Sequence, residues 1–381
     1  MKRFIAGLTC CILILTLASC KGSVKREAFA DINAEGGSEY AAVSGEITEK
    51  RVSFFGAGDN LIHNCVYWQA QDYAGGSGYD FKPMYELVAD RIENAGIAYI
   101  NQETILGGEE MGLSSYPLFN SPVQLGEDMK ELGFDVFSQA TNHVFDKGEK
   151  GIENTYNFYS RNSDIIMTGI YKKDEKKYKV IERNDIKVAF VNYTFHTNGL
   201  SLPKDSKYMV TVVKDNDTDE LIKTVGEAKK DADFVVCLIH WGDENRTMYN
   251  EIQKKTAKKL ADAGCSAVIG THPHSIQPVE FIGDTLVAYS LGNFISAQNK
   301  PVNLIGGMIE FDFVIKGNEK KIENVSFTPV INQFASRFSN IKIIPFPQYT
   351  REMALNHGAD VTYDYFKSTI ENTIDERFLK Y

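Results

Sequence analysis

Two histidines stand two positions apart at the end of a short apolar segment. His272 and His274 follow residues 267–269, which predict a buried strand that Gly270 ends. Two imidazoles on one strand-end loop can turn toward a single point, and neutral imidazole is a good ligand for zinc, iron or manganese. The alternative is a pair of loop histidines that bond only to water or to backbone groups.

Carboxylate, amide and imidazole side chains also follow the other apolar segments that predict strands. They are Asp59, Glu103, Asn142, His143 and His240. Each has an alternative role: Asp59 could cap a helix, Glu103 could lie at the surface, Asn142 and His143 could belong to a turn, and His240 could be a hydrogen-bonded core histidine. Their shared position favours one common site, because open α/β sheets place their sites at strand ends.

The combined set has the chemistry of a site for two divalent cations. One carboxylate can bridge both ions, an Asp and a His can complete one site, and an Asn oxygen with two His can complete the other. Two ions about 3.5–4 Å apart clamp the oxygens of an in-line displacement and generate hydroxide at neutral pH. Four of the seven histidines stand in these segments. The residues therefore indicate metal-dependent hydrolysis.

Alternating strands and helices must position these residues in the first part of the chain. Apolar periodicity predicts strands at 52–57, 97–100 and 136–140, and helices at 80–94, 122–132 and 150–160. On the helix at 80–94, Met84, Leu87, Val88 and Ile92 would form the buried face. The order is that of an α/β sheet whose strand ends carry the polar residues.

The later segments contain more antiparallel signals. Strands at 179–181 and 187–193 flank a hairpin-like turn, and further hairpins are predicted at 279–289 and 306–329. Helices at 215–230 and 249–263 alternate with the strands at 234–239 and 267–269. Residues 331–381 carry few motifs, and we interpret them as an appendage with a helix from about residue 363.

The motifs resemble those of the bacterial capsule-synthesis protein family CapA. They are Gly58-Asp59, Asn101-x-Glu103, Thr141-Asn-His-x-x-Asp146, His240-Trp-Gly-x-Glu244, His272-Pro-His274 and Ser290-Leu-Gly-Asn-Phe294. That family belongs to the calcineurin-like metallophosphatase superfamily and is linked to poly-γ-glutamate production and export. The resemblance covers residues 50–329 and implies a four-layer α-β-β-α sandwich with the site at the strand ends.

The resemblance also implies a role for each motif residue and a cofactor of one or two divalent ions of manganese, iron or zinc. Asp59 and His274 would hold the first ion, Glu103 would bridge, and Asn142, His240 and His272 would hold the second ion. His143 would act on the substrate, and Asp146 would orient His143. Glu244 and Asn293 would support the ligands or contact the substrate.

Two positions depart from the general phosphatase pattern. Leu61 stands where a histidine usually follows the first Asp, and His63 stands two positions further on. The bridging acid is Glu103 where phosphatases generally use Asp. Both departures resemble the CapA branch, and they leave open whether one or two ions are held.

The N-terminal segment resembles a bacterial lipoprotein leader. A basic start, Met1-Lys-Arg3, precedes an apolar stretch that ends in Leu17-Ala-Ser-Cys20. We therefore expect a signal peptide at 1–19, a lipidated Cys20 and a flexible tether at 20–49, a CapA-like domain at 50–330 and the appendage at 331–381. The alternative is an ordinary secretory leader. The expected location is extracytoplasmic, on a bacterial membrane.

Charge and cysteine content restrict the partners. Removing residues 1–19 takes away two basic residues and no acid, which leaves 39 basic and 51 acidic residues and a net charge of −12. This balance argues against nucleic acid as a partner. Cys65, Cys237 and Cys265 remain, too few and too scattered to predict a disulfide framework, and Cys237 is expected to be a buried thiol.

Three functions are consistent with the sequence. The first is a membrane-anchored CapA-like protein of capsule or poly-γ-glutamate biosynthesis and export with a metal-dependent, phosphoesterase-like hydrolase core. The second is a non-catalytic subunit that binds the anionic polymer or its synthase, with Lys172, Lys173, Lys176 and Lys177 as candidate contacts. The third is a metallophosphoesterase for another cell-surface substrate.

Overall fold

Sixteen strands and eight α-helices form residues 48–381, the part of the chain that this computed structural model describes. The strands are β1 Glu49–Asn60, β2 Ile97–Asn101, β3 Val136–Ser138, β4 Ile166–Thr168, β5 Ile170–Lys172, β6 Lys179–Arg183, β7 Ile186–Thr194, β8 Tyr208–Val210, β9 Phe234–His240, β10 Ala267–Thr271, β11 Val279–Ile282, β12 Thr285–Ala288, β13 Asn293–Ile295, β14 Ile305–Lys316, β15 Glu319–Ala335 and β16 Ser339–Pro345. The helices are α1 Asn64–Tyr73, α2 Ala89–Glu93, α3 Gln124–Glu131, α4 Gly148–Arg161, α5 Asp219–Asp231, α6 Glu251–Asp262, α7 Arg351–Leu355 and α8 Tyr363–Thr373.

The strands form two large sheets and one small one. The first sheet has the order β16-β15-β14-β1-β2-β3-β4, with β13 also paired to β1, and the second has the order β11-β12-β10-β9-β7-β6. Strands β1 to β4 are mutually parallel, as are β7, β9, β10 and β12, while the outer pairs are antiparallel. Strands β5 and β8 pair separately.

The two large sheets pack face to face, and helices cover their outer faces. On β1, Phe54 points to the second sheet, with its ring centroid 6.3 Å from that of Phe190, while Phe55 points outward to Phe134. On β9, Val236 and Leu238 join the inter-sheet core, whereas Cys237 and Ile239 join a second cluster with buried residues of α5 and α6. The alternation of each strand between two apolar layers confirms the predicted α-β-β-α sandwich.

The predicted helix at 80–94 is wrong in extent. Single 3₁₀ turns at Lys82–Met84 and Glu86–Val88 precede the short helix α2. The helical conformation is lost at Tyr85, whose φ and ψ are −105° and 1°, so the two turns do not join into one helix. Leu87 is exposed, although Met84, Val88 and Ile92 are buried as predicted.

The C-terminal segment extends the first sheet and packs into its core. The predicted boundary after residue 330 falls within β15, whose last residues pair with β16. Ile331, Ile343 and Phe366 are fully buried in the same core as β1. The expected C-terminal helix is present as α8.

The leader at 1–19, the lipidated Cys20 and most of the tether lie outside the described residues. Strand β1 begins at Glu49, where it pairs with Lys316, three residues before the predicted start at 52. Among the helices of residues 48–381, none combines the length and hydropathy that a membrane crossing requires. Cys237 is buried, and no disulfide joins Cys65, Cys237 and Cys265 in this part of the chain.

Candidate metal centre

The carboxyl ends of parallel strands from both sheets meet at one edge of the sandwich. Asp59 lies near the end of β1, and Glu103 and Asn142 lie in the loops after β2 and β3. His240 is the last residue of β9, and it pairs with Thr271 at the end of β10. The strand-end residues of the two sheets are therefore within reach of one another.

Asp59 and His274 connect the two sheets by a direct side-chain contact. His274 Nδ1 lies 3.1 Å from Asp59 Oδ2 and 3.1 Å from Asn293 Oδ1, so its N–H faces two acceptor oxygens. Asn101 donates from Nδ2 to Asp59 Oδ1 at 2.8 Å. With Nδ1 engaged in this way, a neutral His274 would have its lone pair on Nε2, which lies 3.8 Å from Oε1 of Glu103.

Glu103 is the central residue of the site. Its carboxylate is fully buried, and neither oxygen has a hydrogen-bond partner within residues 48–381. Burial raises the pKa of Glu103 well above its usual range. A buried carboxylate without donors is costly in a protein interior, and a bound cation would offset that cost. The residues therefore fit a metal, and Asp59, Glu103 and His274 can each direct one ligand atom within 4.8 Å of the others.

A second group of ligand atoms surrounds His240 Nε2. His240 Nε2 is 3.0 Å from Asn142 Oδ1, 3.2 Å from His272 Nδ1 and 3.9 Å from Glu103 Oε1. Thr271 Oγ1 lies 3.0 Å from the other ring nitrogen of His240 and orients the ring. The amide oxygen of Asn142, the imidazole of His272 and the carboxylate of Glu103 thus each lie within 4 Å of His240 Nε2. We refer to Asp59, Glu103 and His274 as the first cation site, and to Glu103, Asn142, His240 and His272 as the second.

The three histidines differ in their protonation. Burial and the neighbouring imidazoles hold the pKa values of His240 and His272 well below the usual range, so both rings are neutral, as metal ligands must be. Burial also opposes a charge on His274, but the carboxylates of Glu103 and Asp59 outweigh it and raise its pKa to about 9. In the absence of a cation, His274 is therefore protonated at neutral pH and pairs with Asp59.

His143 and Asp146 form a buried pair beside the cation sites. His143 Nδ1 lies 2.7 Å from Asp146 Oδ2, and the backbone N–H of Phe119 donates to the same oxygen at 2.6 Å. The Phe119 ring packs edge-on against the His143 ring, with centroids 4.6 Å apart. These contacts fix the orientation of the imidazole and leave Nε2 available to a substrate.

Two further sequence-predicted residues have different surroundings. Asn293 lies behind His274 and donates from Nδ2 to Gln298 Oε1 and to the carbonyl of Asn303. Glu244 is exposed, in the loop after β9, and its negative charge helps to raise the pKa of Glu103. The structure thus brings Asn293 into contact with a candidate ligand and leaves Glu244 at the rim.

His63 lies at the edge of the site, outside both groups of ligand atoms. Its Nδ1 is 3.2 Å from the backbone nitrogen of Ala297, and its ring packs edge-on against Phe119. Burial lowers the pKa of His63 to about 4. Leu61, at the position where phosphatases generally have a histidine, is buried and supplies no ligand.

Sequence reasoning assigned no role to His196 or to Asn101. The ring of His196 stacks on that of His272, with centroids 4.5 Å apart and the planes inclined by 27°. His196 follows β7 by two residues, so the strand-end rule applied to β7 would have identified it. Asn101 belongs to a quoted motif, but its hydrogen bond to Asp59 depends on the pairing of β1 with β2.

The lysines proposed as polymer contacts are mostly engaged within the chain. Lys176 and Lys177 form ion pairs with Asp231 and Glu220. Lys172 lies over the ring of Tyr156, with its Nζ 5.2 Å from the ring centroid. These contacts reduce the positive charge that the segment offers to an anionic polymer.

Comparison with known families gives a match over most of the described chain. The family model for the bacterial capsule synthesis protein PGA_cap matches residues 53–298, which include every residue of both cation sites as well as His143 and Asp146. The match ends before β14, so the antiparallel edge of the first sheet and the C-terminal helices lie beyond it.

Two curated relatives share about a third of their aligned residues with this chain. The PGA biosynthesis protein CapA of Bacillus subtilis is 33% identical over 173 residues, which are 45% of this chain and 44% of that protein. The capsule biosynthesis protein CapA of Bacillus anthracis is 31% identical over 172 residues, or 45% and 42% of the two chains. The aligned region thus spans less than half the length of these relatives.

Solved structures of phosphatases show a more distant likeness. A phosphatase from Mycoplasma pneumoniae is 13% identical, with 74% of this chain and 95% of that chain covered and a TM-score of 0.46. The calcineurin-like phosphoesterase YfkN from Bacillus subtilis is 14% identical, with 85% and 97% covered and a TM-score of 0.44.

Proposed function

This chain belongs to the bacterial capsule synthesis protein family, and we propose that it is a lipid-anchored, extracytoplasmic member with a metal-dependent, phosphoesterase-like hydrolase core. The observation that carries the proposal is the position of Glu103. Its buried carboxylate has no hydrogen-bond partner in residues 48–381, and Oε1 lies within 4 Å of His240 and His274, which come from the other sheet. This arrangement suits a bridging ligand better than a structural acid.

The two cation sites would hold divalent ions of manganese, iron or zinc. Asp59 and His274 would complete the first site, and Asn142, His240 and His272 would complete the second, with Glu103 common to both. Imidazole, amide and carboxylate ligands together are compatible with each of these metals. When bound, such a pair of ions polarises a phosphoryl group and lowers the pKa of an attacking water.

His143 would supply the proton that the leaving group needs. Its Nδ1–H is donated to Asp146, so Nε2 is the atom that can reach a substrate oxygen. Water would form the new bond to phosphorus and release a proton to solvent, the bond to the leaving oxygen would break, and that oxygen would take its proton from Nε2 of a His143 protonated on both ring nitrogens. The backbone N–H of Phe119 holds Asp146, so the imidazole keeps its orientation through the reaction.

The cellular role is proposed from the family and from the N-terminal sequence. Two relatives are named for capsule or PGA biosynthesis, which supports a substrate or partner in a capsule or poly-γ-glutamate system. The bond cleaved would be a phosphoester, or an amide or acyl-phosphate of the polymer. Partners would be the membrane, reached through lipidated Cys20, and the polymer or its synthase subunits.

Metal content of the purified protein tests the proposal directly. We expect stoichiometric transition metal in the wild type and its loss in the Asn142→Ala, His272→Ala double variant, followed by hydrolysis of at least one member of a panel of phosphate esters. An Asn299→Ala variant is the control, because Asn299 is exposed on the described surface. A wild type that binds none of manganese, zinc or iron would refute the hydrolase and favour a non-catalytic export subunit.

Polymer formation in cells separates the hydrolase from the accessory subunit. His143→Ala removes the proton donor but leaves the ligand atoms of both cation sites in place. A hydrolase requires that this variant lose polymer formation, just as Asn142→Ala does. Continued polymer formation with His143→Ala, together with failure of Asn142→Ala, would instead show that the fold and its metal suffice without chemistry.

A further inference from the structure

His196 packs against the second cation site without joining it. Its ring is nearly parallel to that of His272, with a centroid separation of 4.5 Å and an inclination of 27°. His196 Nε2 lies 3.2 Å from the carbonyl oxygen of Gly242, so this nitrogen carries the proton that is donated to the carbonyl. The side chain thus connects the loop after β7 to the loop after β9.

The stacking geometry excludes His196 as a ligand for the same ion as His272. Ligand nitrogens must converge at about 2.0–2.1 Å from a zinc ion. Two nearly parallel rings separated by 4.5 Å direct their nitrogens along parallel lines that do not meet at such a point. The Nε2 of His196 is also occupied by Gly242, so its contact with His272 is one of packing.

His272 is a residue whose orientation needs support. Its φ is +95°, a conformation that residues with a side chain seldom adopt, and it follows directly after β10. Its Nδ1 must face His240 Nε2, 3.2 Å away, for the two rings to share an ion. Because the backbone is strained, contacts of the ring decide whether this orientation is kept.

The loop that carries His196 is fixed to the strand that carries His240. The backbone N–H of Phe195 donates to the carbonyl of His240 at 2.9 Å, and Thr194 Oγ1 donates to the carbonyl of His196 at 2.8 Å. The stacking ring is therefore held in a constant position relative to the His240 and His272 pair.

We propose that His196 is a positioning residue that holds the His272 imidazole in its ligand orientation by stacking on its face. The proposal rests on the metal binding proposed above. It predicts that loss of the ring weakens the second cation site and leaves the first site, formed by Asp59, Glu103 and His274, unchanged. A flat ring that cannot bind metal should restore most of the affinity.

Manganese titration of the full-length protein by calorimetry, with metal analysis of the same samples, tests this inference. One bound manganese ion should be lost in His272→Ala. We expect His196→Ala to lower the affinity for that ion by tenfold or more, and the affinity of His196→Phe to lie within about threefold of that of the wild type. Thr197→Ala is the control, since it changes the next residue of the loop and removes no ring. Each variant is also checked for an unchanged unfolding temperature without metal.

The outcomes distinguish this inference from the proposed function. If the wild type and His196→Ala bind manganese with equal affinity, the positioning role is overturned and the proposed function is not. Equal losses in His196→Ala and His196→Phe overturn stacking and indicate that a ring nitrogen is needed. An ion that survives His272→Ala at full affinity shows that His272 is no ligand, which also overturns it. A wild type that binds no metal refutes the proposed function together with this inference.

Discussion

Glu103 Oε1 lies 3.8 Å from His274 Nε2, although the two residues follow strands of different sheets. The contact exists only because the inter-sheet core brings the carboxyl ends of β2 and β10 to the same edge. It joins a carboxyl group whose pKa is raised by burial to an imidazole whose pKa is raised to about 9 by the neighbouring acids. Ion binding and stability should therefore be coupled at this pair.

The substitution Glu103→Gln should raise the stability of the metal-free protein and abolish the stability that the wild type gains from metal. In metal-free protein the amide removes a buried carboxyl without partners, and we expect the free energy of unfolding to rise by about 1–3 kcal/mol. With metal at 100 times its dissociation constant, the wild type gains about 2.7 kcal/mol, which the variant should lack. Urea unfolding with and without manganese measures both effects.

The matched control for this experiment is Glu376→Gln, at an exposed position distant from the site. It should leave both unfolding curves unchanged. A Glu103→Gln variant that is destabilised without metal would show that this carboxylate has a structural partner instead of a bridging role.

The pair His143 and Asp146 should govern the rate of hydrolysis without governing metal binding. We expect His143→Gln to lower kcat by about 10²–10⁴-fold, the range typical of a lost general acid. Asp146→Asn should also lower kcat, because its amide oxygen can still accept from His143 and Phe119 but carries no negative charge to stabilise a protonated His143. Initial rates on a reactive phosphate ester, with metal content measured in parallel, check this expectation.

Asp174→Asn is a suitable control for the second of these variants, since Asp174 is an exposed acid. Loss of metal from His143→Gln would contradict the assignment, as it would make this imidazole a ligand.

The substitution Gly58→Ala should disrupt both the fold and the site. A Cβ at Gly58 would lie 2.0 Å from the carbonyl oxygen of Gly292, and the neighbouring Asp59 N–H donates to that same carbonyl at 2.8 Å. The backbone must therefore move next to a candidate ligand. We expect a loss of about 1–3 kcal/mol in the free energy of unfolding, together with weaker metal binding.

Gly226→Ala provides the comparison, because a Cβ at this exposed position in α5 meets no atom within 4 Å. Alanine is the better helix former by about 0.8–1.0 kcal/mol, so this variant should be more stable than the wild type. The measurement is the midpoint temperature of thermal unfolding of Gly58→Ala and Gly226→Ala. Equal midpoints would contradict the close approach at Gly58.

His63 should make the folded protein less stable as the pH falls from about 6.5 to about 4. Burial lowers the pKa of its imidazole to about 4, below the value of 6.5 in the unfolded chain. Between these values the unfolded state binds more protons, so protonation favours unfolding. The shift corresponds to at most about 3 kcal/mol, which is lost progressively across this range.

The variant His63→Asn removes the titrating group and keeps an acceptor for the backbone N–H of Ala297. The free energy of unfolding of the wild type should therefore fall relative to that of this variant as the pH is lowered from 7 to 4. A difference that is constant with pH would show that His63 does not titrate in this range on unfolding.

The residue types of the site could be predicted because each follows an apolar run that forms a buried strand. Asp59, Asn142 and His240 stand at strand ends whichever way the sheets pack, so the strand pattern alone places each of them at the carboxyl edge of its own sheet. Most strands were predictable for the same reason. The helix expected at 80–94 was not, because the backbone leaves the helical conformation at Tyr85, although the apolar spacing of the segment is helical.

Only the tertiary structure decided which atoms meet. Packing of the two sheets brings Glu103 between His240 and His274, and register places Asn101 against Asp59. Local sequence does not encode these distances, since each depends on residues far apart in the chain. The stacking of His196 on His272 has the same origin, and so does the inclusion of residues after 330 in the core. Pairing and packing between distant strands, which composition and periodicity do not specify, fixed them all.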